Sequence, residues 1–362
     1  MNDTATTPAT GAEVAVPMSL LNPEIGSMSA PWPEDLVRML GSDADAGVPA
    51  RGADATNDAW VYHKYEGLVG ANGYDAVYAY TAVDALGDHV EWCWRAALAQ
   101  YDQYQALFEG FEHPFSDVRR HGVLLWKSQS PWPALRGSLY DHSSLEPNGG
   151  YWGVRASYFG ALGNSTGALH VVYNRALRKM SVYNRGDAPA AVAATARVID
   201  LSTGAVLVAT ARCELDADFV EPGGAATFGC AVAWPEGETT TTRLLRIGLE
   251  DKVTGAPLAA NEYWLSDPDP AASAAQDYSS LEVLRTEQSA VLSIEAIDDG
   301  GGVRVRNQGT AVAFFVRLSG AEVAQNCFSL LPGEARDVAV AVASASTQVE
   351  AWNTRVSVSL SA

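Results

Sequence analysis

The chain has 362 residues, 48% of them hydrophobic, which is enough for two or three domains with a sizeable core. Its formal net charge of −19 repels a nucleic-acid backbone and an anionic membrane surface, so neither is expected as a partner. No apolar run approaches about 20 residues, which excludes an expected transmembrane helix.

Residues 1–13 are small and polar. They contain neither a basic stretch nor an apolar run of a secretory signal, and they read as a disordered lead-in. The run AVPMSLL, residues 15–21, is apolar and ends at Asn22-Pro23, which predicts a short buried strand. Trp32-Pro33-Glu34-Asp35-Leu36 predicts a helix start, with proline early and acids facing the positive end of the dipole. That helix should reach Leu40, and the Gly-, Asp- and Ala-rich residues 41–57 should be loop. A longer helix is predicted after Asp88. Val90, Cys93, Trp94, Ala97, Tyr101, Tyr104 and Phe108 recur three or four apart and should share one packed face. Gly122-Val123-Leu124-Leu125-Trp126 predicts a second short strand, and a last helix is expected near Tyr151–Phe159. Both apolar runs suit a parallel sheet covered on both faces. Two such strands alone would leave sheet edges open, so more chain or another subunit should complete the sheet.

Beyond residue 165 the pattern becomes a series of short β-rich segments. AVAATARVID, GAVLVATARCEL, AATFGCAVAW, RLLRIGLED and ANEYWLS are separated by turns such as Pro222-Gly223-Gly224. This spacing predicts an antiparallel sandwich. The stretch from Asp267 to Ala275 has linker composition, and a second β-rich unit runs from AVLSIEAI to VSVSL.

Glu24 lies at the end of the first predicted parallel strand, close to Gly26. In barrel enzymes chemistry gathers at such strand ends. On these residues alone Glu24 is a nucleophile, a general base or a capping acid. Trp126 ends the second strand and is followed by Lys127, Gln129 and Trp132. The aromatic rings suit stacking on sugars and the polar groups suit hydroxyls; equally, Trp126 can plug the sheet end. The six histidines show no HxH or HxxxH spacing and no CxxC occurs, so no metal is expected. Neither GxxxxGK[ST] nor GxGxxG occurs, so no cofactor is expected. Asp141-His142 has the look of a dyad but lacks a GxSxG partner. Cys213 and Cys230 fall on segments that suit neighbouring strands; a disulfide is one option, and buried free thiols are the expectation.

The segment Leu21-Asn22-Pro23-Glu24-Ile25-Gly26-Ser27 resembles the nucleophile segment of family 2 glycoside hydrolases. Trp60-Val61-Tyr62-His63-Lys64-Tyr65 resembles the stretch that follows it. Gly122 to Trp132, continuing through Leu135-Arg136-Gly137 to Tyr140-Asp141-His142, resembles barrel strand eight of plant-type endo-β-mannosidases, with a variant in exo-β-glucosaminidases. Asn261 to Ser266, Ala313 to Arg317 and Phe328 to Glu334 resemble the C-terminal sandwiches. One departure is Ala324-Gln325-Asn326-Cys327, where the family carries Ser-Asp-Asn-Tyr.

The resemblance implies the C-terminal part of a (β/α)8 barrel over residues 14–160. Two immunoglobulin-like β-sandwiches follow, at 161–270 and 278–362, with a linker at 271–277. It implies a retaining β-glycosidase with Glu24 as nucleophile, and with His63, Trp126, Lys127, Gln129 and Trp132 around an oligosaccharide or glycoprotein glycan. The family's acid/base lies in an Asn-Glu pair upstream of the nucleophile. The Asn-Glu here, Asn261-Glu262, sits in a sandwich segment and is a decoy, so the chain alone is expected to hydrolyse little. The Lys127/Gln129 pattern sides with a mannosidase acting on Man-β-GlcNAc linkages. A glucosaminidase and a non-catalytic sandwich module are the alternatives.

Overall fold

The computed structural model describes residues 4–7, 14–17, 21–26, 30–45, 47–49, 58–63, 88–112, 122–135, 138–162, 167–175, 177–236, 241–266, 278–297, 301–341, 343–354 and 357–360. Strands β1 (Thr4–Thr7) and β2 (Val14–Pro17) form an antiparallel pair. The threonines read as part of a disordered lead-in are β-branched and join this ladder. The strand expected over 15–21 is divided. Val14–Pro17 belongs to β2, and the parallel strand is β3, Leu21–Ile25, paired with β4, Gly122–Leu125. Pro23 lies inside β3 because the ladder shifts register between Asn22 and Ile25, where a missing N–H is tolerated.

Helix α1 (Pro33–Leu40) begins with proline, carries Glu34 and Asp35 in its first turn and stops at Gly41, whose φ is 59°. Helix α2 (Asp58–Tyr62) is a short turn. Helix α3 (His89–Glu112) opens at Asp88, whose carboxylate accepts from Val90 N at 2.8 Å. Helix α4 (Gly149–Phe159) is capped by Asn148, which accepts from Gly150 N and Tyr151 N. Its glycines let it lie directly on α3: a Cβ at Gly149 would stand 2.2 Å from Ala97 O, and one at Gly153 would stand 2.3 Å from Tyr101 O.

The single packed face expected for α3 is too little. Every residue from Trp92 to Tyr101 is buried, while Val90 is exposed. Wrapping explains this, because α3 packs against α1 and α4 and also against Trp264 of β11 and Phe315 of β14. One core cluster joins Trp32, Trp92, Trp94 and Tyr101 with Trp264, Phe314, Phe315 and Trp352. The parallel pair differs from expectation in the opposite sense. Leu124 is 58% exposed and Trp126 is 52% exposed, so the face of β4 that carries them is open.

The first sandwich packs the three-stranded sheet β5 (Leu169–Asn174), β6 (Lys179–Asn184) and β9 (Ala225–Ala231) on a four-stranded one. The second sheet has the order β11 (Pro257–Leu265), β10 (Arg243–Asp251), β7 (Val192–Asp200), β8 (Val206–Glu214). Their shared core contains Val171, Val182, Ile247 and Phe228. The expectation of free thiols at Cys213 and Cys230 is wrong. The two are disulfide-bonded, with a Cα–Cα distance of 6.1 Å. They lie on β8 and β9, edge strands of the two sheets, so the bond ties one sheet to the other.

The segment expected as a linker, 271–277, lies outside the described residues. Helix α5 (Ser280–Glu287) precedes the second sandwich. Its sheets are β12 (Leu292–Ala296), β13 (Gly302–Asn307) and β16 (Ala335–Ala339), and β15 (Phe328–Leu330), β14 (Ala313–Ser319), β17 (Gln348–Glu350) and β18 (Val358–Ser359). Strand β13 shows the period-two logic: Val303 and Val305 are buried, while Arg304 and Arg306 face outward.

Candidate active site

The C-terminal ends of β3 and β4 touch through backbone. Trp126 N donates to Ile25 O at 2.7 Å, and a Cβ at Gly26 would lie 2.4 Å from Trp126 O. Gly26 is therefore the residue that lets these ends close on each other. Glu24 is the penultimate residue of β3 and Trp126 is the first residue after β4, so the two sequence-derived candidates lie on adjacent strand ends. The peptide between Trp126 and Lys127 is cis.

From Trp126 the chain folds back in a loop braced by its own polar groups. Gln129 bridges to Tyr140, and its side-chain amide donates to His142 O at 3.2 Å. The Ser130 and Ser138 hydroxyls meet at 2.8 Å. His142 Nδ1 donates to Ser130 O at 3.0 Å, and Asp141 Oδ1 accepts from the backbone of Ser143 and Ser144. Asp141 and His142 thus each shape the loop separately. Lys127 is half-buried and Gln129 exposed.

His63 and Trp132 come together from 69 residues apart. Their rings stack at 6.0 Å with an interplanar angle of 24°. His63 Nδ1 donates to Pro133 O at 2.8 Å, since a carbonyl oxygen only accepts. Leu135 N donates to His63 O at 2.8 Å, anchoring the same turn from its backbone. Tyr62, which sequence reasoning passed over, stands edge-on to Trp132 at 5.0 Å and is 66% exposed. Its position inside the Trp60–Tyr65 stretch was the available signal. The strand ends thus carry the backbone of Glu24 next to that of Trp126, with the Trp126 side chain half exposed, and the His63–Trp132 ring pair closes a separate turn.

Asn261-Glu262 is structural. Asn261 is fully buried on β11; it accepts from Gln105 Nε2 and Ala161 N, and donates to Glu109, Val171 O and the Tyr263 hydroxyl. Glu262, 1% exposed, pairs with Arg246 at 3.2 Å and accepts from Ser329 N at 2.7 Å. Arg246 also holds Glu334 at 2.9 Å, so this pair joins the two sandwiches. In the departing segment Ala324–Cys327, Asn326 closes a two-way bond with the backbone of Leu318.

A second charged group was not visible in the sequence. Arg317 on β14 is buried, lies over the Trp32 ring at 4.1 Å, and pairs with Glu34 of α1 and with Glu350 of β17 at 2.8 Å. Glu146, from the loop after β4, lies 3.8 Å from the same guanidinium. Burial pushes the Glu146 carboxyl up to about 7; Asp35 and Glu34 add to the rise, and Arg317 opposes it. Burial alone would favour apolar residues here; the ion cluster survives because α1, the post-β4 loop and the second sandwich all meet at Arg317.

A family model, Ig_mannosidase, described as an Ig-fold domain, matches residues 287–361. A mannosylglycoprotein endo-β-mannosidase from Lilium longiflorum is 32% identical over 154 residues, covering 38% of this chain and 14% of that protein. An exo-β-D-glucosaminidase from Amycolatopsis orientalis is 27% identical over 191 residues, covering 52% of this chain and 17% of that protein. The crystal structure of the Amycolatopsis orientalis exo-chitosanase superposes with a TM-score of 0.67 at 22% identity, over 93% of this chain and 42% of that one. The chain thus spans less than half the length of the relatives it matches, and its fold is shared with the corresponding part of the exo-chitosanase.

Proposed function

We propose that this chain, which is of the glycoside hydrolase family 2 type, is the C-terminal part of a retaining β-glycosidase with Glu24 as its nucleophile. In this reading residues 14–160 are the last part of a (β/α)8 barrel, and both following sandwiches are immunoglobulin-like. The observation that carries the reading is the contact of the β3 and β4 ends, which sets the strand bearing Glu24 beside the Trp126–Trp132 segment.

The chemistry follows from a paired-carboxyl mechanism. The Glu24 carboxylate attacks the anomeric carbon as the glycosidic C–O bond breaks, and a second carboxyl group protonates the departing oxygen. That second group then deprotonates the water that releases the sugar. Trp126 and the His63–Trp132 pair stack against the sugar ring, and Lys127 hydrogen-bonds its hydroxyls. Gln129 holds the loop through its amide NH2, leaving its carbonyl oxygen for substrate. Glu262 is not that second group in this reading, because Asn261-Glu262 is consumed in holding domains together.

For the substrate, the Lys127/Gln129 pattern and the Lilium longiflorum relative support a β-mannoside of the Man-β-GlcNAc type. A glucosamine-releasing activity is the second reading, supported by the Amycolatopsis orientalis relative. The test is Glu24→Gln in the protein that carries this chain together with its catalytic partner carboxyl. Turnover of an aryl β-mannoside falls by roughly three orders of magnitude or more when the covalent step is removed. Unchanged turnover sinks the assignment. Parallel rates on a Man-β-GlcNAc glycan and on glucosamine oligomers separate the two substrates.

A further inference from the structure

We propose that Asp35 of helix α1 and Asp141 of the loop after β4 share one proton through the Ser144 hydroxyl, making a clasp that closes in acid and opens as pH rises. Ser144 Oγ has three polar contacts. It accepts from Glu146 N at 3.1 Å, and it lies 3.0 Å from Asp35 Oδ2 and 3.1 Å from Asp141 Oδ1. A serine hydroxyl has one hydrogen and two acceptor lone pairs. Its hydrogen serves one carboxylate, so the other carboxyl group must bring a hydrogen of its own. Were both ionised, one oxygen would face the hydroxyl's lone pair.

The surroundings decide which acid holds the proton. Asp141 Oδ1 also accepts from Ser143 N at 2.8 Å and Ser144 N at 2.9 Å, donors that suit an ionised carboxylate. Asp35 is 2% exposed; burial chiefly, and then the Asp141 charge, push its carboxyl above the usual range. The chain of bonds therefore runs from Asp35 Oδ2–H to Ser144 Oγ, and from Ser144 Oγ–H to Asp141 Oδ1. Asp35 Oδ1 still accepts from Arg38. Ser144 is exposed, so solvent reaches a proton whose owner is buried.

The charged and titratable groups around Asp35 are Glu34 and Arg38 on α1, Cys93 on α3, and Asp141 and Glu146 on the loop, with Arg317 of β14 and Glu350 of β17 in the same cleft. Carboxylates outnumber guanidiniums in this set, so losing the Asp35 proton adds repulsion. Its carboxyl titrates above the unfolded value near 3.8, so the clasp is complete in acid and is lost as pH rises through the folded value. The turn it holds is strained. Leu145 has a φ of 59°, a left-handed conformation that a leucine keeps only under constraint, and the Glu146 N to Ser144 Oγ bond spans it. Opening also frees Asp141, next to Tyr140, which bridges to Gln129. The clasp thus governs the loop that carries Lys127, Gln129 and Trp132.

The experiment is hydrogen–deuterium exchange of the chain over residues 138–148, from about pH 5 to about pH 8, corrected for the intrinsic pH dependence of amide exchange. In the parent, protection of the segment holding the Asp141, Ser143, Ser144 and Glu146 amides should fall about tenfold across this range. Asp35→Asn offers an N–H to Ser144 and an oxygen to Arg38 at every pH, so it should keep the acid-level protection without a slope. Ser144→Ala should show low protection at both ends. Glu146→Gln removes the other titrating carboxyl of the loop and should keep the parent's slope. A flat parent profile, a parent-like slope in Asp35→Asn or Ser144→Ala, or loss of the slope in Glu146→Gln overturns the proposal. Ser144 is exposed, so its variant decides the matter if Asp35→Asn does not fold. Turnover does not enter the readout, so the result is independent of the Glu24 assignment.

Discussion

Replacing Asn261 by alanine tests whether the Asn-Glu pair of β11 holds the molecule together. Asn261 is fully buried, and its side chain fills six hydrogen-bond roles. Its Oδ1 accepts from Gln105 Nε2 at 3.2 Å, Ala161 N at 2.9 Å and Glu262 N at 2.9 Å. Its Nδ2 donates to Glu109 Oε1 at 3.1 Å, Val171 O at 3.3 Å and the Tyr263 hydroxyl at 2.9 Å. Tyr263 and Glu109 keep each other, at 2.9 Å, after the amide is removed. The Ala161 N–H and the Val171 carbonyl lose this partner in a site closed to water. Each buried group left unsatisfied costs about 1–3 kcal/mol, so the variant should lose about 3–5 kcal/mol. Asn261→Asp should fare no better, because it brings a new negative charge against Glu109. The assay is urea unfolding followed by tryptophan fluorescence, reading the transition that includes the buried Trp264. A loss below about 1 kcal/mol refutes the structural reading.

Three further outcomes follow from the same geometry. The folded-state pKa of Glu146, about 7, is above the unfolded value near 4.5. The folded chain therefore keeps a proton that the unfolded chain releases, and stability falls as pH rises from about 4.5 to 7 and then levels. Glu146→Gln removes that slope, so its stability relative to the parent should rise by about 3 kcal/mol across this window; parallel pH profiles refute it. Cys230→Ser opens a crosslink of sequence separation 17 and should cost about 3 kcal/mol, seen as a lower melting temperature in non-reducing buffer. An equal melting temperature for parent and variant there contradicts a formed disulfide. Glu262→Gln leaves Arg246 with a weaker partner on this side and should destabilise the contact between the sandwiches, as read by faster amide exchange at Ser329. A change confined to turnover in the parent protein goes against that view.

Much of the fold is written in local pattern. The β13 alternation, the proline and paired acids opening α1, and the apolar run of β4 each reflect contacts within a few residues. What the sequence hides depends on distant partners. Helix α3 carries a stripe that suggests one packed side, yet the second sandwich packs Phe315 on Trp94 within that stripe and Trp352 on Arg95 outside it. Cys213 and Cys230 are bonded because two sheets pack, which strand patterns alone cannot state. Pro23 looked like a strand end until the register shift beside it accounted for its missing N–H. For the candidate site, Glu24, Trp126 and Trp132 were legible as a strand-end glutamate and an aromatic exit loop. The Arg317 cluster was not, because Glu34, Glu146, Arg317 and Glu350 meet only after four separate segments fold together.

The bare parallel pair has a consequence for how the molecule behaves in a tube. Among the described residues, β3 and β4 pair only with each other, so each has an outer row of backbone donors and acceptors without a neighbouring strand. Beside those rows stand the uncovered side chains of Leu124 and Trp126. Such a surface recruits any extended segment that reaches it. A preparation of this chain by itself should therefore grow in apparent size with concentration, and a short peptide that caps the β4 edge should return it to a single-chain species.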